Sequence, residues 1–203
     1  MVPIAIGTGG FFLLLIADFA QARNAGALRF PALVASALSI GWGLVEVLDS
    51  PDRLPVPSAV RVAAGILAVP FLALLLWSLF LEIPFSPAYG GAAGPRSLVT
   101  TGTYALSRHP GVLWLFLLQL ACATASASRL LLVATVPWTC ANVILVAIED
   151  RFLFPRIFGD AYRAYQRSVP FLVPTPPSIR RCVATFRFPW IADSVRRNRG
   201  NKG

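Results

Sequence analysis

The chain has 203 residues, of which 56% are hydrophobic and only 13% are charged, and its net charge is +9. Soluble domains carry charge on about a quarter of their residues, so this composition excludes an ordinary water-soluble domain and is typical of a membrane protein. Of the 18 Lys and Arg residues, 11 lie at or after Arg151, beyond the last apolar run. That distribution suits an anionic membrane surface better than a nucleic-acid groove, so we expect membrane lipids and no nucleic acid as partners.

Five apolar runs match the roughly 20 residues that a helix needs to cross a bilayer core. They cover residues 2–20, 31–48, 59–83, 111–127 and 130–148. No Lys or Arg precedes Arg23, so we expect the first run to be a retained span and not a cleaved signal peptide. The second span is expected to begin at Pro31, because proline suits the first turn of a helix. The predicted fold class is therefore all-α, a polytopic membrane helical bundle with about five transmembrane helices.

The connections between the spans differ in length and composition. Residues 84–110 are rich in Gly and Pro and predict a loop, whereas the short connector Ser126–Arg129 predicts an antiparallel hairpin of the last two spans. Pro70 and Pro137 fall inside predicted spans, where neighbouring groups must compensate for the missing backbone donor.

The composition changes sharply at Glu149. Aromatic and charged residues alternate as far as Arg167, which predicts an amphipathic helix on the cytoplasmic membrane surface or an extension of the fifth helix. Prolines at 170–177 end this segment, and a basic tail follows. The predicted parts are N-terminal spans at 1–58, a membrane domain that carries the motifs at 59–177, and the basic tail at 178–203.

The cations also predict the orientation of the chain. With five spans, one side holds 15 Lys and Arg residues, including Arg108 and those of the tail, and the other side holds 3. The positive-inside rule then places the N-terminus outside and the C-terminus in the cytoplasm, and a bacterial inner membrane is the expected location.

Two polar clusters flank the last predicted hairpin. LVTTGTYALSRHP occupies residues 98–110, and Glu149 and Asp150 follow the fifth span. The start and end of a short-looped hairpin lie side by side, so we expect His109 to approach this acidic pair. Arg108 could grip a carboxylate, and the acidic pair could accept from hydroxyls or an ammonium. The competing interpretation is that these residues anchor the helices at the membrane boundary. No metal is expected, since no second imidazole or thiolate ligand is near the histidine.

The order of these motifs resembles the isoprenylcysteine carboxyl methyltransferase and phospholipid methyltransferase superfamily. The resemblance covers about residues 59–174: LVTTGTYALSRHP, a hairpin, the acidic pair, FGDAYRAY at 158–165, and then Val169-Pro170 and Val173-Pro174. The chain departs from the family pattern after RHP, where Val112 and Trp114 replace a tyrosine and a small residue, and the acidic pair is Glu-Asp instead of Glu-Glu.

The resemblance implies an integral membrane methyltransferase that uses S-adenosylmethionine, with a lipophilic or small thiol or carboxylate acceptor that the sequence does not identify. Arg108 and Glu149 would be the catalytic residues. The residues implied to bind the cofactor are Tyr104, Arg108, His109, Pro110, Glu149, Asp150, Tyr162 and Tyr165. Two alternatives stay open: an NADPH-dependent enzyme resembling the sterol and steroid reductases, and a non-enzymatic membrane protein that retains the scaffold.

Other polar and small residues within the spans are weaker candidates. Three acidic residues, Asp18, Glu46 and Glu82, lie near predicted span ends, and Glu46 is expected to be the most buried of them. Small residues at positions 7, 9 and 10 are expected to allow close packing of the first helix.

Overall fold

The computed structural model describes residues 1–23, 25–83 and 98–186, and the regular secondary structure of this part consists of helices and one β-bridge between Arg53 and Ser128. The long helices are α1 (Val2–Ala22), α2 (Gly26–Asp49), α3 (Ser58–Leu76), α5 (Pro110–Ser126) and α6 (Arg129–Ile148). The short ones are α4 (Thr103–Leu106), α7 (Phe154–Phe158), α8 (Asp160–Ser168) and α9 (Pro176–Thr185). Two π-helical turns, π1 (Trp77–Leu81) and π2 (Glu149–Leu153), continue α3 and α6.

The all-α membrane fold is confirmed. Four helical stretches of the described chain are long and apolar enough to cross a membrane: Val2–Gln21, Ala27–Asp49, Ser58–Leu81 and Arg129–Phe158. The remaining predicted span is α5, an apolar helix of 17 residues that is shorter than the other four. The protein is therefore a multi-pass helical membrane protein.

Two predicted helix boundaries can be compared with the structure. The expected start of the second span at Pro31 is wrong, because α2 begins at Gly26 and carries Pro31 inside it. The expected extension of the fifth helix is confirmed through π2 and α7 as far as Phe158. Gly159, with φ of 59°, then separates α8 from this long helix. The predicted loop at 84–97 and the basic tail after Phe186 lie outside the described residues.

The described chain forms two compact units, each joining segments that are distant in sequence. The first unit comprises Met1–Leu72 and Trp114–Ile157, and the second comprises the described residues of 73–113 and of the chain from 158 onward.

In the first unit, α1 packs closely against α2 and α6. The buried Trp138 donates from its indole nitrogen to the carbonyl of Ile4 at 3.0 Å. A Cβ added to Gly7 would lie 2.5 Å from the Trp138 ring, and one added to Gly43 would lie 2.9 Å from the carbonyl oxygen of Pro3. Glycines at these crossings let the helix backbones approach each other closely, as expected for Gly7. Gly9 is not at such a crossing, because a Cβ there would have nothing within 4 Å.

The predicted hairpin is confirmed in the same unit, because the Thr139 hydroxyl of α6 donates to the side-chain carbonyl of Gln119 on α5 at 3.4 Å, and the connector Ala127-Ser128 joins the two helices. Ser128 caps α6 by accepting from the backbone of Leu131 at 3.1 Å, and its hydroxyl donates to the carbonyl of Val47 at 2.6 Å. The backbone of Leu54 donates to Ala127 at 2.7 Å, so the loop between α2 and α3 is attached to the same connector.

Candidate functional site

The first half of the motif folds around the carboxylate of Glu82 in the second unit. Gly102 has φ of 61° and leads into the one-turn helix α4, whose first amide, that of Thr103, donates to both Glu82 oxygens at 2.9 and 3.0 Å. The Thr103 hydroxyl also bonds to Glu82, and Trp77 of π1 donates its indole N–H to the same carboxylate at 3.0 Å. Glu82 therefore satisfies the free amide end of α4, as an acidic cap does.

The reason for a glycine at position 102 follows from this arrangement. A Cβ there would meet the Glu82 carboxyl group, with the carboxyl carbon only 2.8 Å away. The positive φ also disfavours any other residue. The glycine of the TTGTY sequence is thus required by the local packing around Glu82.

The RHP turn is attached by its backbone to the chain that follows α8. The backbone N–H of Arg108 donates to Pro170 at 2.9 Å, and the Ser107 hydroxyl donates to the carbonyl of Phe171 at 2.9 Å. The Arg108 guanidinium donates to the carbonyl of Gln166 at 3.1 Å and lies over the Phe171 ring at 5.6 Å. Two segments separated by about 60 residues therefore meet at this turn.

His109 lies within the same cluster. Its side chain is buried, and the edge of its ring contacts Phe171 with centroids 5.1 Å apart and planes at 70°. Pro110, also buried, begins α5 directly after it. An imidazole held by an aromatic ring at the start of a helix has a fixed direction, which a binding or catalytic role requires.

The tyrosines of the FGDAYRAY segment face the same place. Tyr162 and Tyr165 are both buried on the inner side of α8, and the Tyr165 hydroxyl donates to the carbonyl of Tyr104 at 2.6 Å. Tyr104 in turn donates its own hydroxyl to Ser78 of π1 at 3.1 Å. Six of the eight residues assigned to the cofactor site thus belong to the second unit: Tyr104, Arg108, His109, Pro110, Tyr162 and Tyr165.

The other two residues, Glu149 and Asp150, lie in the first unit on π2 and are both buried. The Glu149 carboxyl group lies close to the carboxyl group of Asp18 on α1, and Arg29 on α2 is near enough for its positive charge to act on Asp18. That Glu149 approaches His109 stays a prediction.

Two acidic residues have contacts that the sequence analysis missed. Asp18 lies close to Glu149, and Glu82 caps α4, whereas Glu46, expected to be the most buried acidic residue, is exposed. Asp18 is an acidic residue in an otherwise apolar first span, and charged residues in spans usually face a polar partner. The sequence therefore indicated that Asp18 has such a partner, although not which one. Glu82 carried no comparable signal, since its partners come from another part of the chain.

The departures from the family pattern have different environments. Val112 is buried near the start of α5. The indole nitrogen of Trp114 is buried and has no hydrogen-bond acceptor in the part of the chain that the structure describes.

The fold and this cluster define a multi-pass helical membrane protein with a polar centre built from the end of α3, the RHP turn and α8. Comparisons with protein family models, with curated proteins and with solved structures find no match for the chain.

Proposed function

We propose that the chain is an integral membrane methyltransferase that uses S-adenosylmethionine and acts on a lipophilic or small thiol or carboxylate acceptor. The observation that carries this proposal is the contact between the two halves of the motif. The RHP turn bonds to Pro170 and Phe171, and Tyr165 bonds to Tyr104. Six of the eight residues that the resemblance groups as one binding site thus belong to one unit, although they come from two segments far apart in sequence.

The chemistry of the side chains fits the proposed cofactor. S-adenosylmethionine has a carboxylate, an ammonium group, ribose hydroxyls and an adenine ring. The guanidinium of Arg108 suits the carboxylate, and the carboxyl groups of Glu149 and Asp150 suit the ammonium group or the hydroxyls. His109 and Phe171 offer planar surfaces of the kind that pack against a purine.

When bound, S-adenosylmethionine supplies a methyl group on a positively charged sulfur. Arg108 would orient the cofactor and Glu149 would hold its polar groups, so that both act mainly by alignment. The backbone bond from Arg108 to Pro170 holds the main chain, and the bond from its guanidinium to Gln166 holds the side chain before any ligand arrives. His109 could hold a proton that a thiol or carboxylic acid acceptor releases.

Calorimetry on the full chain in lipid nanodiscs tests the proposal. Saturable binding of S-adenosylmethionine is expected for the wild type. Arg108→Lys keeps the charge but loses the planar two-point grip, and about tenfold to a hundredfold weaker binding is expected from the loss of one charged hydrogen bond. Arg163→Lys is the matched control, because Arg163 is exposed on α8 and pairs with Asp160 at 3.5 Å.

His109→Ala and Glu149→Gln are also expected to abolish or weaken binding, and circular dichroism would show whether each variant stays folded. Absence of saturable binding by the wild type would refute the methyltransferase proposal. Binding of NADPH in the same experiment would instead support the reductase alternative.

A non-enzymatic membrane protein is the second candidate, and a specific observation favours it. Glu149 lies close to Asp18 inside the first unit, and the Arg108 guanidinium donates to the carbonyl of Gln166, so both groups already have partners within the protein. On this view Asp18→Ala lowers stability, and the wild type binds neither S-adenosylmethionine nor NADPH.

We also propose that the N-terminus lies outside and the C-terminus in the cytoplasm of a bacterial inner membrane. The proposal depends on the excess of Lys and Arg residues on one predicted side. Protease digestion of inside-out vesicles would remove a C-terminal tag if it is right, and digestion of intact spheroplasts would not.

A further inference from the structure

Helix α9 (Pro176–Thr185) presents an inner face to the second unit. Ser178 is buried, and its hydroxyl accepts from the backbone of Thr175, so the helix has a capping box at its start. At its end, the Thr185 hydroxyl accepts from the backbone of Gly102 at 3.0 Å. Residues at positions 178, 182 and 185 share this inner face, as helical spacing requires.

The outer surface of α9 carries an apolar stripe. Ile179 is 48% exposed and Val183 is 74% exposed, and their spacing of four residues places them on one face. Val173, just before the helix, is 76% exposed. Exposed apolar side chains on one face of a helix, as at Ile179 and Val183, indicate a contact with the lipid phase or with another molecule.

A basic edge lies beside the stripe. Arg180 borders the stripe and is exposed, whereas Arg181, also exposed, lies about 160° around the helix from Val183. Helix α9 contains no acidic residue. At about 100° per residue, Arg180 lies about 60° around the helix from Val183, so its long apolar stem can cover the stripe while its guanidinium extends outward. Apolar and cationic strips in this arrangement are typical of a helix at a membrane interface.

The adjacent helix α8 has no such stripe. Its aromatic residues Tyr162 and Tyr165 point inward and are buried, and its outward side chains include Arg163, paired with Asp160, and the small Ala164. The amphipathic pattern of α8 in the sequence is thus explained by packing within the protein. Of these two helices, α9 is the one that leaves large apolar side chains exposed.

Contacts within the second unit place α9 at the end of a membrane span. Phe186, directly after α9, stacks on Trp77 with ring centroids 5.3 Å apart. Trp77 lies in the apolar stretch Ser58–Leu81, and Glu82, the first residue after that stretch, is close enough for its charge to act on Cys182. Helix α9 therefore lies at the depth of the membrane–water interface.

We propose that α9 is an interfacial helix that binds an anionic lipid leaflet, with Ile179 and Val183 among the upper acyl chains and Arg180 on the lipid phosphates. The anionic leaflet is chosen because α9 carries only positive charge. A polybasic segment gains about fivefold in its bound-to-free ratio per arginine at such a surface. This proposal does not depend on the methyltransferase proposal.

Spin labels on the full chain in nanodiscs test it. The native cysteines are replaced by serine, and single cysteines are introduced by Ile179→Cys, Val183→Cys and, as the matched control on α8, Ala164→Cys. Collisions with oxygen, which partitions into lipid, are expected to exceed collisions with a water-soluble nickel complex at 179 and 183. The reverse is expected at 164.

A second arm tests the charge. Adding phosphatidylglycerol to phosphatidylcholine nanodiscs is expected to deepen the label at 183, and Arg180→Ser should lower its bound-to-free ratio by about fivefold. A label at 183 that prefers nickel, or that is shielded from both reagents by protein, overturns the proposal. Equal depth in both lipid compositions overturns the choice of an anionic lipid.

Discussion

Replacing Gly102 with alanine tests the central packing of the second unit. Gly102 and Gly159 have nearly the same backbone conformation, with φ and ψ of 61° and −131° at Gly102 and of 59° and −133° at Gly159. Both precede a helix. They differ in their surroundings, because a Cβ at Gly102 would meet Glu82, whereas a Cβ at Gly159 would have nothing within 4 Å.

The expected magnitude follows from this difference. Either substitution puts alanine in a backbone conformation that only glycine favours, which costs about 1–3 kcal/mol. In Gly102→Ala the carboxylate of Glu82 must also move away from Thr103 and Trp77, to which it bonds at 2.9 to 3.0 Å. Loss of one charged hydrogen bond costs about 1.5–3 kcal/mol, so Gly102→Ala should exceed Gly159→Ala by about that amount.

The measurement is the free energy of unfolding from reversible SDS titration in mixed micelles, for each variant and for the wild type. In a Glu82→Ala background the carboxyl group that a Cβ at position 102 would meet is absent. The loss of unfolding free energy caused by Gly102→Ala should then fall to that caused by Gly159→Ala. Equal losses for the two glycine variants in the wild-type background would refute the described role of Glu82.

Two further predictions concern other parts of the molecule. Gly7→Ala places a methyl group 2.5 Å from the rigid ring of Trp138 and should cost about 1–3 kcal/mol in the same titration, whereas Gly9→Ala, with no neighbour within 4 Å, should be nearly neutral. A neutral Gly7→Ala would contradict the close crossing of α1 and α6. Burial, and then the charge of Glu82, raise the pKa of the Cys182 thiol, so less thiolate is present near neutral pH. Alkylation by iodoacetamide should therefore be slower than for a free cysteine and rise at higher pH, and Glu82→Gln should speed it by lowering that pKa.

Much of the fold could be predicted because it depends on local patterns. Apolar runs of span length predict helices whatever their neighbours, and a connector as short as Ser126–Arg129 allows only a hairpin. The extension of the fifth helix through Glu149 to Phe158 was one of two open interpretations, and the structure selected it. The predicted start of α2 at Pro31 is wrong because proline suits the first turn of a helix but does not exclude helix before it. Here the residues from Gly26 onward are already helical, so Pro31 lies inside α2.

The candidate site could be predicted only in part. Motif spacing pointed to Arg108 and His109, but the roles of Asp18 and Glu82 depend on partners elsewhere in the chain. Helical periodicity also misjudged Glu46, which is exposed, since the pattern of an all-round apolar helix does not indicate which face is covered.

By itself, the sequence determined that the chain is a helical membrane protein, because backbone hydrogen bonds in a bilayer must close within each apolar segment. Only the tertiary structure decided which polar groups meet: Glu82 with the amide end of α4, the RHP turn with Pro170 and Phe171, and Asp18 with Glu149. Such pairings join residues distant in sequence, so they depend on how the helices pack, and no local pattern specifies them.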